Sequence, residues 1–391
     1  MKNKIKKECL IISIIFLFIG LSASSSGVNI KNINTINPNI CHNGTILYVG
    51  GSGEDNYTRI QYAINDANPG DIVFVYDDSS PYYERIVINK SINLIGEDKN
   101  DTVIDGNKKG KVVYISADRV NITGFTIRNS GIGIKAVSDH NTIYGNILTQ
   151  HENCIVLDWS SNNNVFKNDV ISNTGFGIFL YQAQNNIIRD NQIKNCNDFG
   201  IYLFVKSKNN LVSGNIINSC SDGIFTDDTS SNIYSNNTIT DCKVGFTGKR
   251  TNYNTISGNY ISNNDWWGIK LADFSDSIIT KNIITKNNHA IDMGGSSRNM
   301  ITYNIIKNNL KGLYLWYCSD DNEIFYNTFM KNFRNVFFED SSNNWYQNFW
   351  SRTRYLPKLI IGGKTIQSLV YLMPWFEIDW HPAKEPFDIK V

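Results

Sequence analysis

Five charged residues in the second half of the chain could carry acid–base chemistry: Asp227, Asp228, Lys249, Lys270 and Asp292. Two carboxylates could act as acid and base on a glycosidic bond, and a lysine could remove a proton in an eliminative cleavage. The alternative is a ladder of opposite charges that stabilises neighbouring strands without any catalytic role. The choice depends on the elements that position these side chains.

Aromatic residues recur near these charges and could stack on the faces of sugar rings. Segments of the type Gly-apolar-x-apolar, such as residues 177–180 and 200–203, predict strands that alternate inward and outward side chains. Their outward positions form an aromatic stripe, and an exposed apolar patch marks a binding surface. The candidate substrate-binding residues are Phe179, Tyr181, Tyr202, Phe204, Phe225, Trp266 and Trp267. Alternatively, a loop or the C-terminal segment covers these rings.

These strands belong to an internal repeat of about 22 residues, and such a period indicates a solenoid. The first asparagine series is Asn146, Asn168, Asn191, Asn215, Asn237, Asn259, Asn282, Asn304, Asn327 and Asn348. A second series lies five residues earlier, with Ser277 as its one member that is not asparagine. A third, mixed series lies five residues later and includes His151, Cys196, Cys220 and Cys242.

The apolar runs between these asparagines are too short for helices and predict three short strands per repeat. This describes one turn of a parallel β-helix, in which turns stack about 4.8 Å apart and bring identical side chains into register. Stacked asparagine amides can then hydrogen-bond along the axis, and asparagine tolerates left-handed turns. No proline occurs in residues 82–356, as expected where most amides donate to a neighbouring turn.

The sequence therefore predicts an all-β fold, a right-handed single-stranded parallel β-helix. A leucine-rich horseshoe shares the period but uses one asparagine per repeat and a helical return. Apolar residues at helical spacing in residues 58–67 predict a short N-terminal capping helix. We expect a signal peptide over residues 1–25, a cap and first turns over 26–110, β-helix repeats over 111–349, and an aromatic C-terminal cap over 350–391.

The N-terminus has the pattern of an export signal. Four lysines precede an apolar run over residues 10–21, and small residues follow. An uncleaved anchor is the alternative, and this segment is the one expected contact with a membrane. The formal net charge of +1 gives no basic footprint, which argues against nucleic-acid binding. Several Asn-x-Ser/Thr sequons are compatible with N-glycosylation.

Five segments near the N-terminus resemble the start of right-handed β-helix proteins of the pectin methylesterase and NosD type: IQYAI (60–64), GDIVFV (70–75), YERIVI (83–88), INLIG (92–96) and TVIDG (102–106). The later repeats and the NFW exit (348–350) resemble NosD-like, carbohydrate-binding and sugar-hydrolase repeats of the pectin lyase-like superfamily. This resemblance implies a polysaccharide lying along the outer face of one sheet. Function must still be argued from the site.

The resemblance does not extend to known catalytic motifs. The methylesterase Gln, Asp, Asp and Arg motifs are not found at the matching strands, and Asp227-Asp228 lacks the Gly-His-Gly and Arg-Ile-Lys signatures of polygalacturonases. The NosD comparison raises copper, but the histidines and methionines fall in different registers, so we expect neither a metal nor a cofactor. They are His42, His140, His151, His289 and His381, with Met293, Met300, Met330 and Met373.

The column of Cys196, Cys220 and Cys242 could bind metal or form a bond, or it could continue the third series as small buried residues, which we favour. We therefore expect an exported protein, secreted or at the cell surface, that binds polysaccharide or a cell-surface glycan. Two alternatives stay open: a polysaccharide lyase or glycoside hydrolase, and a non-catalytic structural, adhesion or NosD-like accessory protein.

Overall fold

The protein is a parallel β-helix, and the computed structural model describes residues 44–366 and 371–388. Each turn contributes one strand to a first sheet of 14 parallel strands. These strands are Ile46–Val49, Ile72–Val75, Asn93–Gly96, Asn121–Thr123, Thr142–Tyr144, Asn164–Phe166, Ile187–Arg189, Leu211–Ser213, Ile233–Ser235, Thr255–Ser257, Ile278–Thr280, Met300–Thr302, Glu323–Phe325 and Asn344–Tyr346.

Two further rows of parallel strands complete each turn. The second sheet contains Val103–Asp105, Asp169–Asn173, Gln192–Cys196, Ile216–Asn218, Thr238–Thr240, Tyr260–Ser262, Ile283–Thr285, Ile305–Lys307, Thr328–Met330 and Phe349–Trp350. The third contains Ile86–Ile88, Lys111–Ile115, Ile178–Tyr181, Phe199–Phe204, Asp222–Asp227, Val244–Asn252, Trp267–Ser275, His289–Gly294, Lys311–Trp316 and Arg334–Phe338. Two long strands, Thr126–Ala136 and Ile147–Asp158, run through both rows.

The core fills the interior of the helix because alternate residues of each strand point inward. In the third sheet, Ile178 pairs with Ile201 and Ile201 with Ile224, and all three are fully buried. Glycine precedes each of these residues because the chain comes close to the next turn. A Cβ on Gly200 would lie 2.6 Å from the carbonyl oxygen of Gly223, which no side chain tolerates.

The predicted asparagine ladders are present. The Oδ1 atom of Asn215 accepts from both the backbone N–H and the Nδ2 of Asn191, each at 3.0 Å. Asn215 donates in the same way to Asn237 and also to the carbonyl of Ile188. Ser277 keeps the second ladder continuous, because its hydroxyl oxygen accepts the backbone N–H of Asn254 at 2.9 Å.

We expected the ladder asparagines themselves to adopt the left-handed backbone of the turns. The left-handed residue is instead the one directly before each asparagine of the first series. Lys167, Asp190 and Tyr303, each directly before an asparagine of the first series, have φ between 54° and 55°. Gly214 takes the same position at 66°. The ladder therefore requires asparagine for its side-chain amide, which accepts from one turn and donates to the next. It does not require asparagine for its tolerance of a left-handed backbone.

Both ends of the described helix are covered. The predicted N-terminal helix spans Ile60–Asp66 and buries Ile60, Ala63 and Ile64. At the other end, Lys358–Ile366 and Tyr371–Asp379 form an antiparallel hairpin. The hairpin extends the third sheet beyond its last parallel strand through the pairing of Glu339 with Gly363.

The expected signal peptide lies outside the described residues. Among the helices of residues 44–366 and 371–388, none has the length and apolar character needed to cross a membrane.

Candidate functional site

The outward side of the third sheet, called the outer face below, carries the candidate residues in three columns. The first column contains Phe199, Asp222, Val244, Trp267, His289, Lys311 and Arg334. The second contains Val156, Phe179, Tyr202, Phe225, Thr247, Lys270, Asp292, Tyr314 and Phe337. The third contains Asp158, Tyr181, Phe204, Asp227, Lys249, Ala272, Gly294 and Trp316.

The structure brings five predicted aromatic residues into one half-buried cluster. The rings of Phe179 and Tyr202 stack with centroids 5.1 Å apart, and Tyr202 and Phe204 stack at 5.3 Å. Phe225 meets Tyr202 edge-on at 5.2 Å, and Tyr181 lies 6.0 Å from Phe204. Burial raises the pKa of Tyr202 to about 12, so its hydroxyl stays protonated and can donate a hydrogen bond.

Sequence reasoning missed two members of this cluster, Phe176 and Phe199. Their rings are nearly parallel, with centroids 5.3 Å apart, and Phe199 stacks on Phe225 at 4.5 Å. The available signal was position: each lies three residues before an outward residue that was identified, Phe179 or Tyr202. Both residues precede the glycine of their Gly-apolar-x-apolar segment, so they fall outside that pattern.

The two predicted tryptophans lie further along the outer face. Trp267 belongs to the first column, whereas Trp266 lies directly before the strand and is 54% exposed. Their rings meet edge-on with centroids 5.6 Å apart. The ammonium group of Lys270 lies 4.3 Å from the centroid of Trp267, within the range of a cation–π contact.

The expected charge ladder is divided between two columns. Asp227 and Lys249 are register partners in the third column, and Lys270 and Asp292 are partners in the second. The ion pair of Asp227 is made with Arg250 at 2.6 Å. Asp228 lies just beyond its strand in a left-handed turn and is exposed. The five charged residues therefore do not form one catalytic cluster.

Asp292 instead forms a cluster with His289, which the sequence suggested only as a possible metal ligand. Its Oδ2 atom lies 2.8 Å from Nδ1 of His289, and its Oδ1 accepts from the indole N–H of Trp316 at 2.8 Å. Trp267 donates a longer bond of 3.3 Å to Oδ2. The imidazole ring lies between Trp267 and Tyr314, whose ring centroids are both 6.1 Å away. The carboxylate thus holds the orientation of the ring.

A soft-metal site does not fit the residues that the structure places together. Within residues 44–366 and 371–388, no three His, Cys, Asp or Glu side chains converge to hold an ion. His151 is buried and its pKa falls to about 4, because burial disfavours the charged ring. Met293 lies in the core, whereas Met373 is half exposed. His42 is outside the described residues.

The cysteine column agrees with the interpretation that its members are small buried residues of the third series. Cys196, Cys220 and Cys242 are buried free thiols, and Cys154 is also buried. Contact between neighbouring thiols, together with burial, raises the pKa of Cys220 and Cys242. Protonated thiols are poor nucleophiles and poor metal ligands.

Comparison with solved structures gives matches at low sequence identity. A GH136 lacto-N-biosidase from Eubacterium ramulus has a TM-score of 0.55 and 13% identity, covering 77% of this chain and 68% of that chain. A mutant of the periplasmic alginate epimerase AlgG has a TM-score of 0.55 and 12% identity, covering 67% and 77%. The Dettilon tailspike protein has a TM-score of 0.52 and 14% identity, covering 83% and 74%.

These similarities establish a shared β-helix fold. No curated protein matches the sequence. A family model described as "Periplasmic copper-binding protein (NosD)" matches residues 36–265 and 203–367, which together span most of the chain. The chain therefore belongs to the NosD family.

Proposed function

We propose that this chain is exported and binds a polysaccharide along the outer face of the third sheet. The observation that carries this proposal is the aromatic cluster on three consecutive turns, from Phe176 to Phe225. Stacked turns repeat about every 4.8 Å, so a chain-like ligand can meet equivalent groups on each turn. Half-buried rings that are already packed lose little conformational freedom on binding, which favours affinity.

Two further observations support a sugar ligand. The ring contacts of the aromatic cluster join its members to one another and to Trp159, and none involves a ring of the described C-terminal hairpin, which lies at the end of the helix. Proteins that share the fold include an alginate epimerase and a GH136 lacto-N-biosidase, and these activities belong to those proteins. Copper has no part in the proposal.

The experiment is a glycan-array screen of the full chain, followed by titration of the strongest ligand. Tyr202→Ala should weaken binding about tenfold, equivalent to about 1.4 kcal/mol. Tyr144→Ala is the matched control, because Tyr144 stacks on Phe166 on the first sheet, away from the outer face. Equal losses in both variants, or no glycan bound at all, would refute the proposal.

A second function, cleavage of the bound polysaccharide, is favoured by the hydrogen bond between His289 and Asp292. A carboxylate that orients an imidazole is a common arrangement for a general base. In an elimination, Nε2 would take the proton from the carbon beside a uronate carboxylate. The C–O bond on the next carbon would break, the departing oxygen would take a proton from water, and a C=C bond would form.

This second function predicts unsaturated sugar ends. His289→Gln should abolish their release while leaving binding in place, whereas His140→Gln should not change the rate, because His140 is exposed on another part of the chain. If the wild-type protein binds the polysaccharide but releases no products, cleavage is refuted and only the binding function remains.

A further inference from the structure

We infer that the polysaccharide is anionic, and that its carboxylate or sulfate groups bind a basic row formed by Lys270, Lys311 and Arg334. This inference rests on the proposed function and specifies its ligand. The row occupies the outer face beyond the aromatic cluster, on three of four successive turns. His289 lies on the remaining turn, in the same column as Lys311 and Arg334.

Within the described residues, these three cations differ from Lys135 and Arg250 in having no acidic partner. Lys135 forms an ion pair with Asp158 at 2.5 Å, and Arg250 with Asp227 at 2.6 Å. Within the part of the chain that the structure describes, Lys270, Lys311 and Arg334 have no carboxylate oxygen within 4 Å. Their positive charge is available to a ligand.

Each cation is instead placed over a ring three residues away on its own strand. Lys270 lies 4.3 Å from the ring centroid of Trp267, Lys311 lies 5.3 Å from Tyr314, and the guanidinium of Arg334 lies 4.9 Å from Phe337. A ring occupies one side of the cation and accepts no conventional hydrogen bond. The N–H groups therefore remain able to donate to an anion, while the ring limits the motion of the side chain.

The acidic side chains at the outward positions nearby already have donors. Asp292 accepts from two indoles and lies beside His289, and Glu339 accepts the hydroxyl of Tyr314 at 2.8 Å. Asp222 accepts the hydroxyl of Thr247. These carboxylates accept from neutral donors or from His289 and form no ion pair with the row in the described residues, although the charge of Lys270 acts on Asp222. The outer face thus joins an aromatic half to a basic half, which matches a ligand with both ring faces and negative charges.

The test compares glycans that differ only in charge. We would titrate the full chain with polygalacturonate and its fully methyl-esterified form, and with dextran sulfate and dextran. The charged member of at least one pair should bind at least tenfold more tightly, and the two pairs distinguish a carboxylate from a sulfate ligand. Raising the salt concentration should reduce this advantage, because exposed charges are screened.

The double variant Lys270→Gln/Lys311→Gln should lose about tenfold in affinity for the charged glycan and most of the salt dependence. Lys167→Gln/Lys194→Gln removes two exposed lysines elsewhere and should change neither. Equal binding of charged and neutral members, with sensitivity to Tyr202→Ala, would overturn the anionic inference and keep the proposed function. Absence of binding to every glycan would overturn both.

Discussion

The carboxylate of Asp379 ends the first asparagine ladder by binding Asn348. Its Oδ2 atom accepts the backbone N–H of Asn348 at 3.0 Å, which is the bond that Oδ1 of the next asparagine makes in earlier turns. The indole N–H of Trp350 donates to the same oxygen at 2.9 Å. Glu377 ends the second ladder in the same way, accepting the backbone N–H of Asn343 at 2.8 Å. A carboxylate suits this end position because it only accepts hydrogen bonds. An asparagine would also need an acceptor for its own N–H group.

Removal of this carboxylate should destabilise the whole helix. Asp379 is fully buried, and Asp379→Ala would leave the donors of Asn348 and Trp350 without an acceptor. We expect a loss of about 3 kcal/mol in the free energy of unfolding. Asp379→Asn keeps one acceptor oxygen and should cost less, about 1 kcal/mol. Denaturant titration of both variants measures this difference, and equal stabilities would contradict the capping role.

An interior ladder position should be equally sensitive. Asn215→Ala removes both the acceptor of Asn191 and the donor to Asn237, and should cost roughly 1 to 3 kcal/mol. Asn218→Ala is the control in the same turn, because Asn218 lies outside the ladders and is half-buried. If the two variants unfold at the same denaturant concentration, the ladder does not contribute to stability.

His151 makes stability depend on pH. Its pKa is about 4 in the folded protein, against about 6.5 in an unfolded chain. Between these values the unfolded state binds more protons, so stability falls as the pH drops through this window. The loss from pH 7 to pH 5 should be about 2 kcal/mol. His151→Asn should show a flatter profile over that range in denaturant titrations; an unchanged slope would show that His151 is not the group responsible.

The thiols should differ in reactivity by position. Cys318 is exposed and should react with a thiol reagent in the native protein. Cys196, Cys220 and Cys242 are buried, with pKa values of Cys220 and Cys242 raised, and should react only after unfolding. Mass spectrometry of labelled peptides assigns each site. Native labelling of Cys220 at the rate of Cys318 would show that the column is accessible.

Most of the fold was predictable because a β-helix repeats one local pattern. The asparagine series, the buried Ile178, Ile201 and Ile224, and the outward positions of Tyr202 and Lys270 all follow from spacing along the chain. Stacked turns convert equal spacing into vertical register, so a periodic sequence specifies its neighbours in space.

The arrangement within the outer face was not predictable in the same way. Asp227 faces Lys249 as expected but forms its ion pair with Arg250, and His289 was not associated with Asp292. Both outcomes depend on which of several neighbours each side chain reaches, and periodicity does not specify this.

The sequence by itself determined the winding of the chain, the residues of the core and the turns that carry aromatic or charged groups, because each depends on local alternation and repeat length. Only the tertiary structure decided which side chains meet: that Asp379 closes the ladder at Asn348, and that Lys311 lies over Tyr314 with no carboxylate partner among the described residues. Such contacts depend on side-chain direction and on competition among several neighbours, and these are settled when the turns stack.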